Sequence, residues 1–99
     1  MTVEIRETAV FRRWLDKLRD ENARRRVMVR VERLVEGNFG DAKSVGGGVA
    51  ELRIDYGPGY RVYFTRRGSE VILLLAGGDK RTQWKDIETA RRLAQMPME

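Results

Sequence analysis

Ninety-nine residues, 41% of them hydrophobic, suffice for one small domain with a modest core. Cysteine and histidine are both absent, which excludes a disulfide framework, a thiolate nucleophile, a Cys/His metal cluster and the commonest general base. A net charge of +5 suits a polyanion, whether nucleic acid or an acidic partner protein, although 15 acidic residues among 20 basic ones also describe an ordinary solvated surface. Ser44 and Ser69, the only serines, stand in glycine-flanked loops with no histidine to activate them, so a hydrolase triad is excluded as well. No apolar run approaches the roughly 20 residues of a membrane span. The first residues lack the basic-then-apolar order of a signal peptide, and the expected location is the cytoplasm, away from membranes.

Along the chain, residues 2–6 alternate Val3 and Ile5 with Glu4 and Arg6, the period of a short strand. Thr8 then offers an N-cap to a helix carrying Val10, Phe11, Trp14, Leu15 and Leu18 on one face, which reads Trp14 as core. Asp20 caps a second helix that runs to Gly37, with Ala23, Val27, Val31, Leu34 and Val35 as its buried stripe. These two helices should form a hairpin on the apolar face of a sheet. Arg26, Arg30 and Arg33 share a flank of the second helix, with Arg24 and Arg25 nearby. They suit a phosphate backbone, an acidic segment, or a solvated face paired with Glu32 and Glu36. Residues 38–48 read as a loop whose glycine triplet is a flexible linker, because no Gly-Lys-Ser/Thr follows to make a phosphate loop.

Residues 49–64 carry the strongest pattern. Ala50, Leu52, Ile54 and Tyr56 alternate, as do Tyr60, Val62 and Phe64, around Gly57-Pro58-Gly59, which predicts an antiparallel hairpin. A three-residue loop pairs Tyr56 with Tyr60, Asp55 with Arg61, Ile54 with Val62 and Arg53 with Tyr63. One face is then apolar, and the other carries Glu51, Arg53, Asp55, Arg61 and Tyr63. Two arginines beside a tyrosine can hold a phosphate and stack on a base; an Asp55–Arg61 ion pair on a solvated face is the alternative. After a turn at residues 66–69, the continuous apolar run 71–76 predicts a strand covered on both faces, ended by Gly77-Gly78. Lys80 follows, placed to reach the charged face or to remain solvated. Thr82 caps a last helix through Leu93, with Ile87, Ala90 and Leu93 or Ala94 inward. Residues 1–95 form one domain and 96–99 a frayed tail. The order is β-α-α-β-β-β-α: an α+β fold with a helical hairpin on a small, mainly antiparallel twisted sheet, the first strand at an edge.

The pieces Glu51-Leu52-Arg53, Gly57-Pro58-Gly59-Tyr60-Arg61-Val62-Tyr63 and Gly77-Gly78-Asp79-Lys80, with Thr82-Gln83 and Asp86-Ile87, resemble the RelE/ParE toxin superfamily. Within it they resemble the phage-related, HigB-like addiction module killer group, over nearly the whole chain. The resemblance implies the toxin of a type II toxin–antitoxin system, with a cognate antitoxin as partner, the ribosome and mRNA as targets, and contact with an operator only through the antitoxin. It also implies endoribonuclease chemistry without metal or cofactor. A 2′-hydroxyl attacks the adjacent phosphate and leaves a cyclic phosphate and a 5′-hydroxyl. On matching positions, Arg53 and Arg61 would bind phosphate and stabilise the transition state. Lys80 and Tyr63 would move protons, Tyr63 alternatively stacking on a base, and Gln83, Arg81 and Tyr56 would contact RNA. Other members carry a histidine or tyrosine near the C-terminus, whereas the residues after Ala90 here include neither. A ParE-like inhibitor of DNA gyrase that cuts nothing, or a binding module acting with its antitoxin at the operator, are the competing expectations. Arg61→Ala is expected to abolish toxicity without unfolding the chain.

Overall fold

The computed structural model describes residues 3–97, so the predicted strand start at Thr2 and the tail residues Met98 and Glu99 lie outside the described residues. The described elements are β1 (Glu4–Glu7), α1 (Ala9–Lys17), α2 (Glu21–Val35), β2 (Ala42–Ser44), β3 (Val49–Ile54), β4 (Tyr60–Arg67), β5 (Val71–Gly78) and α3 (Gln83–Ala94), with a 3₁₀ turn at Lys80–Thr82. One five-stranded sheet has the order β1-β5-β4-β3-β2. Only the β1–β5 pair is parallel. The fold is therefore α+β, with the first strand at an edge.

Two of the three predicted caps form; Thr82 makes no side-chain cap bond at the start of α3, because its hydroxyl donates to Asp86 one turn on. Thr8 Oγ1 accepts from the Phe11 amide at 3.1 Å and donates to the Leu75 carbonyl at 2.6 Å, tying the start of α1 to the central sheet. Asp20 accepts from the amides of Asn22 and Ala23 at the start of α2. Phe11 and Leu15 of α1 and Val27, Val31 and Leu34 of α2 pack on Leu52, Ile54, Val62, Phe64, Ile72 and Leu74. Val35 stays half-buried at the end of the stripe. A second cluster lies on the opposite face, where Ala90 packs on Val49, Tyr63, Leu73, Leu75 and Ala76, with Ile87 and Leu93 of α3 beside it. The continuous apolar run in β5 is thus divided between two cores.

Three local expectations are corrected. The segment 38–48 contains β2, which pairs with β3 through Ala42–Leu52, Lys43–Glu51 and Ser44–Ala50. Its glycine triplet is a tight return, not a flexible linker: Gly46, Gly47 and Gly48 all take positive φ, and Val45 N donates to Val49 O at 2.9 Å. The hairpin register is two residues away from the predicted one, with Ile54 opposite Tyr60, Arg53 opposite Arg61 and Glu51 opposite Tyr63. The loop spans residues 55–59, because Tyr56 leaves the ladder to donate its hydroxyl to Asp20 at 2.8 Å. A shift by two preserves the assignment of residues to faces.

Gly77 and Gly78 belong to β5 instead of ending it. Tyr63 pairs with Ala76 but Phe64 pairs with Leu74, so Leu75 is an extra residue in a bulge that reverses the alternation beyond it. Gly77 then faces α1, where an added Cβ would lie 2.2 Å from Cε3 of Trp14. Gly78 faces α3, where it would lie 1.9 Å from Oδ2 of Asp86. Gly77→Ala should therefore destabilise the domain by about 1–3 kcal/mol through overpacking. Thermal unfolding would show a midpoint lowered by several degrees, and an unchanged midpoint would refute the tight Trp14 contact.

Candidate active site

The charged face of the hairpin is half covered, not solvated. Helix α3 lies over it, and Glu51 and Tyr63 are fully buried while Arg61 retains 8% exposure. Glu51 organises this layer. Its Oε1 accepts from Arg61 Nη1 at 3.1 Å, and its Oε2 accepts from Tyr63 Oη at 3.2 Å and from Gln83 Nε2 at 2.8 Å. Burial and the neighbouring Glu51 carboxylate push the Tyr63 phenol well above its ordinary range. Tyr63 has no exposed ring for a base and no readily lost proton, so the expected stacking and proton-transfer roles give way to a positioning one. Gln83 likewise spends its amide donor on Glu51.

Arg53, Arg61 and Lys80 line one open cleft of about 350 Å³ with Asp41, Ile54, Asp55 and Gly59. Arg53 donates to Asp41 Oδ1 from Nη2 at 2.7 Å and from Nε at 3.2 Å, which holds the Asp41 carboxyl below its usual range. Arg53 and Arg61 sit directly opposite each other across β3 and β4, a like-charge pair that is tolerated because each has its own carboxylate. The predicted Asp55–Arg61 ion pair does not form: Arg61 pairs with Glu51. Arg61 Nε is buried without a hydrogen-bond partner. Gly59, at φ +83°, allows Lys80 to lie against the turn, 3.6 Å from where a Cβ would stand.

The other expected RNA contacts lie apart. Arg81 is mostly exposed and paired with Asp79 at 3.0 Å. Tyr56 is on the opposite side of the turn, its ring under the Arg26 guanidinium at 4.6 Å and its hydroxyl on Asp20. Among the described residues no group of three or more acidic side chains is placed to hold a metal ion, and no helix is long and apolar enough to cross a membrane. Sequence reading missed Glu51 and Asp41 as partners of the arginines. The alternation did place Glu51 on the same face as Arg61; nothing in the loop pattern pointed to Asp41.

Residues 13–95 match the model of the family described as phage-derived protein Gp49-like. The chain belongs to that family. A relative in Haemophilus influenzae, described as an uncharacterized protein, is 50% identical over 95 residues that cover 96% of each chain. Among solved structures, a mutant of the E. coli toxin RelE in the free state superposes with a TM-score of 0.74 at 15% identity, over 93% of this chain and 98% of that one. This Gp49-like chain therefore has the RelE fold.

Two substitutions probe the cleft. Glu51→Ala leaves Arg61 buried and unpaired, and should cost about 3–5 kcal/mol in chemical denaturation; a loss below 1 kcal/mol would mean that the pair is not buried as described. Asp41→Asn releases Arg53 from its competing carboxylate and should tighten binding of a short RNA at neutral pH, read by fluorescence anisotropy. Unchanged or weaker binding would separate Arg53 from anion recognition.

Proposed function

We propose that this Gp49-like protein is the toxin of a toxin–antitoxin pair, and that it cleaves mRNA on the ribosome with the scissile phosphate in the cleft of Arg53, Arg61 and Lys80. The observation that carries this reading is the buried Glu51–Arg61 pair, which fixes Arg61 at the cleft beside two further cations, Arg53 and Lys80. Guanidinium groups fixed in this way match the charge that develops on a phosphorane. The 2′-oxygen forms a bond to phosphorus as its proton passes to solvent water, the P–O5′ bond breaks, and a second proton passes to the departing 5′-oxygen. Lys80, an exposed ammonium at the cleft rim, is the proton donor in this scheme. No side chain in the cleft is an efficient base for the 2′-hydroxyl, so in-line positioning by the ribosome is part of the reading. The antitoxin expected of such a toxin would bring carboxylates to the arginines of α2, where Arg25, Arg26, Arg30 and Arg33 line a separate groove of about 560 Å³.

Arg61→Ala is an ambiguous test, contrary to the expectation that it leaves the fold intact, because it strands the Glu51 carboxylate in the core. Lys80→Ala is the clean variant, since Lys80 is exposed and unpaired with any acid among the described residues. In cells expressing the protein under tight control, mapping of mRNA 5′ ends should show cuts in translated messages that fall about 100-fold or more with Lys80→Ala. Growth arrest with intact messages and a DNA-damage response would instead assign the chain to gyrase inhibition. Retained operator binding without growth arrest would assign it to a binding role.

A further inference from the structure

Trp84 takes no part in the fold. It is 71% exposed, the most exposed large apolar side chain among the described residues, whereas Trp14 packs on the core. An indole left in water forfeits the burial that stabilises most tryptophans, and isolated exposed apolar residues are otherwise ordinary. Its position is what distinguishes it. Trp84 follows Gln83, whose amide holds Glu51 and through it Arg61. It lies four residues beyond Lys80 at the cleft rim, roughly 6 Å along the axis of the turn and helix.

The direction in which it faces follows from helical period. Ile87 and Ala90 point into the core, and Trp84 shares its flank with Arg91, seven residues on. Arg91 lies against the Gly46-Gly47 return between β2 and β3. The flank therefore overlooks the β2 side of the sheet, where Lys43 is paired across from Glu51 and Arg53 occupies the same face of β3. Lys80, Arg81, Lys85 and Arg91 are exposed basic residues within seven positions of the indole, with Glu88 one helical turn on and Arg81 paired with Asp79.

We infer that Trp84 is a stacking platform for a nucleobase next to the phosphate held by Arg61 and Lys80, an inference that rests on the nuclease reading and adds to it a base subsite. An exposed aromatic face next to a cleft lined by arginine and lysine is an arrangement that holds single-stranded RNA without strong sequence preference. The α2 groove lacks this feature: its one aromatic residue, Tyr56, is capped by Arg26 and tied to Asp20.

The test is binding of a fluorescein-labelled 2′-O-methyl hexa-adenylate, which cannot be cleaved, to the wild-type chain, Trp84→Ala and Trp84→Phe, followed by anisotropy at low salt. Trp84→Ala should bind about 10-fold more weakly and Trp84→Phe close to wild type. An abasic sugar scanned through the hexamer should weaken wild-type binding at one position and leave Trp84→Ala unaffected there. Equal affinity of wild type and Trp84→Ala, or a penalty independent of the abasic position, overturns the inference. If messages are still cut in cells in a Lys80-dependent way, that result sinks the base subsite alone. No cleavage together with no hexamer binding sinks the nuclease reading as well.

Discussion

The ion pair between Glu51 and Arg61 is the constraint on which the rest of this molecule turns. Moving two charges out of water costs several kcal/mol for each ion, and the attraction between them offsets that only when the remaining lone pairs and protons are also used. Glu51 meets the condition by accepting three hydrogen bonds, from Arg61, Tyr63 and Gln83. The first two come from the neighbouring strand β4 and the third from the first residue of α3. The helix cannot leave without exposing a carboxylate that has lost a donor. Arg61 is held in one orientation as a result, its Nε buried without a hydrogen-bond partner.

Bringing α3 onto the sheet depends on a second local feature. The bulge at Leu75 turns Gly77 toward α1 and Gly78 toward α3, so the same short segment receives the Trp14 indole on one side and the Asp86 carboxyl on the other. Burial pushes the Asp86 carboxyl above its ordinary range, with the Thr82 hydroxyl opposing that shift by donating to it. Glycine is required by close approach here, not by φ. The residues following it, Asp79 and Lys80, emerge where the cleft needs them, and Asp79 caps the 3₁₀ turn by accepting from the Arg81 amide at 2.8 Å. At the far end of α3, Arg67 donates to the carbonyls of Ala94 and Met96, so Met96 is tied to β4 where the sequence pattern gave only a frayed tail.

Those two features mark the boundary of what was legible in the sequence. Period-two alternation located β3, β4 and their faces, and side-chain capping by Thr8 and Asp20 located both N-terminal helices, because each of these signals is local. The register was not legible, since it depends on Tyr56 reaching Asp20 across 36 positions. Burial of Glu51 and Tyr63 was hidden for the same reason: a charged strand face looks solvated until a helix from the other end of the chain is laid on it. The short strand β2 carries too few residues for a pattern, and its Asp41 neighbour could be matched to Arg53 only once β2 was paired. Of the expected site, Arg53, Arg61 and Lys80 do share a cleft, while Tyr56 lies beyond the turn and Tyr63 beneath the surface.

The positive charge of the protein is divided unequally between its two grooves. In the cleft, Arg53, Arg61 and Lys80 face Asp41, Asp55 and the underlying Glu51, so cations and carboxylates nearly balance. In the α2 groove, lined by Arg25, Arg26, Arg30 and Arg33, Asp55 is the one acidic lining residue; Asp20 stands near Arg26 and Asp41 near Arg30, and none of the four arginines forms an ion pair with an acid among the described residues. Long-range attraction for a polyanion therefore originates on α2, while the cleft supplies oriented donors with little net field of its own. Under the proposed nuclease reading, such a site would capture free RNA weakly and act on a phosphate delivered to it in register. That division fits an enzyme whose substrate is positioned by a larger assembly. It also gives an acidic partner protein an electrostatic foothold that does not compete with Arg61 for its carboxylate.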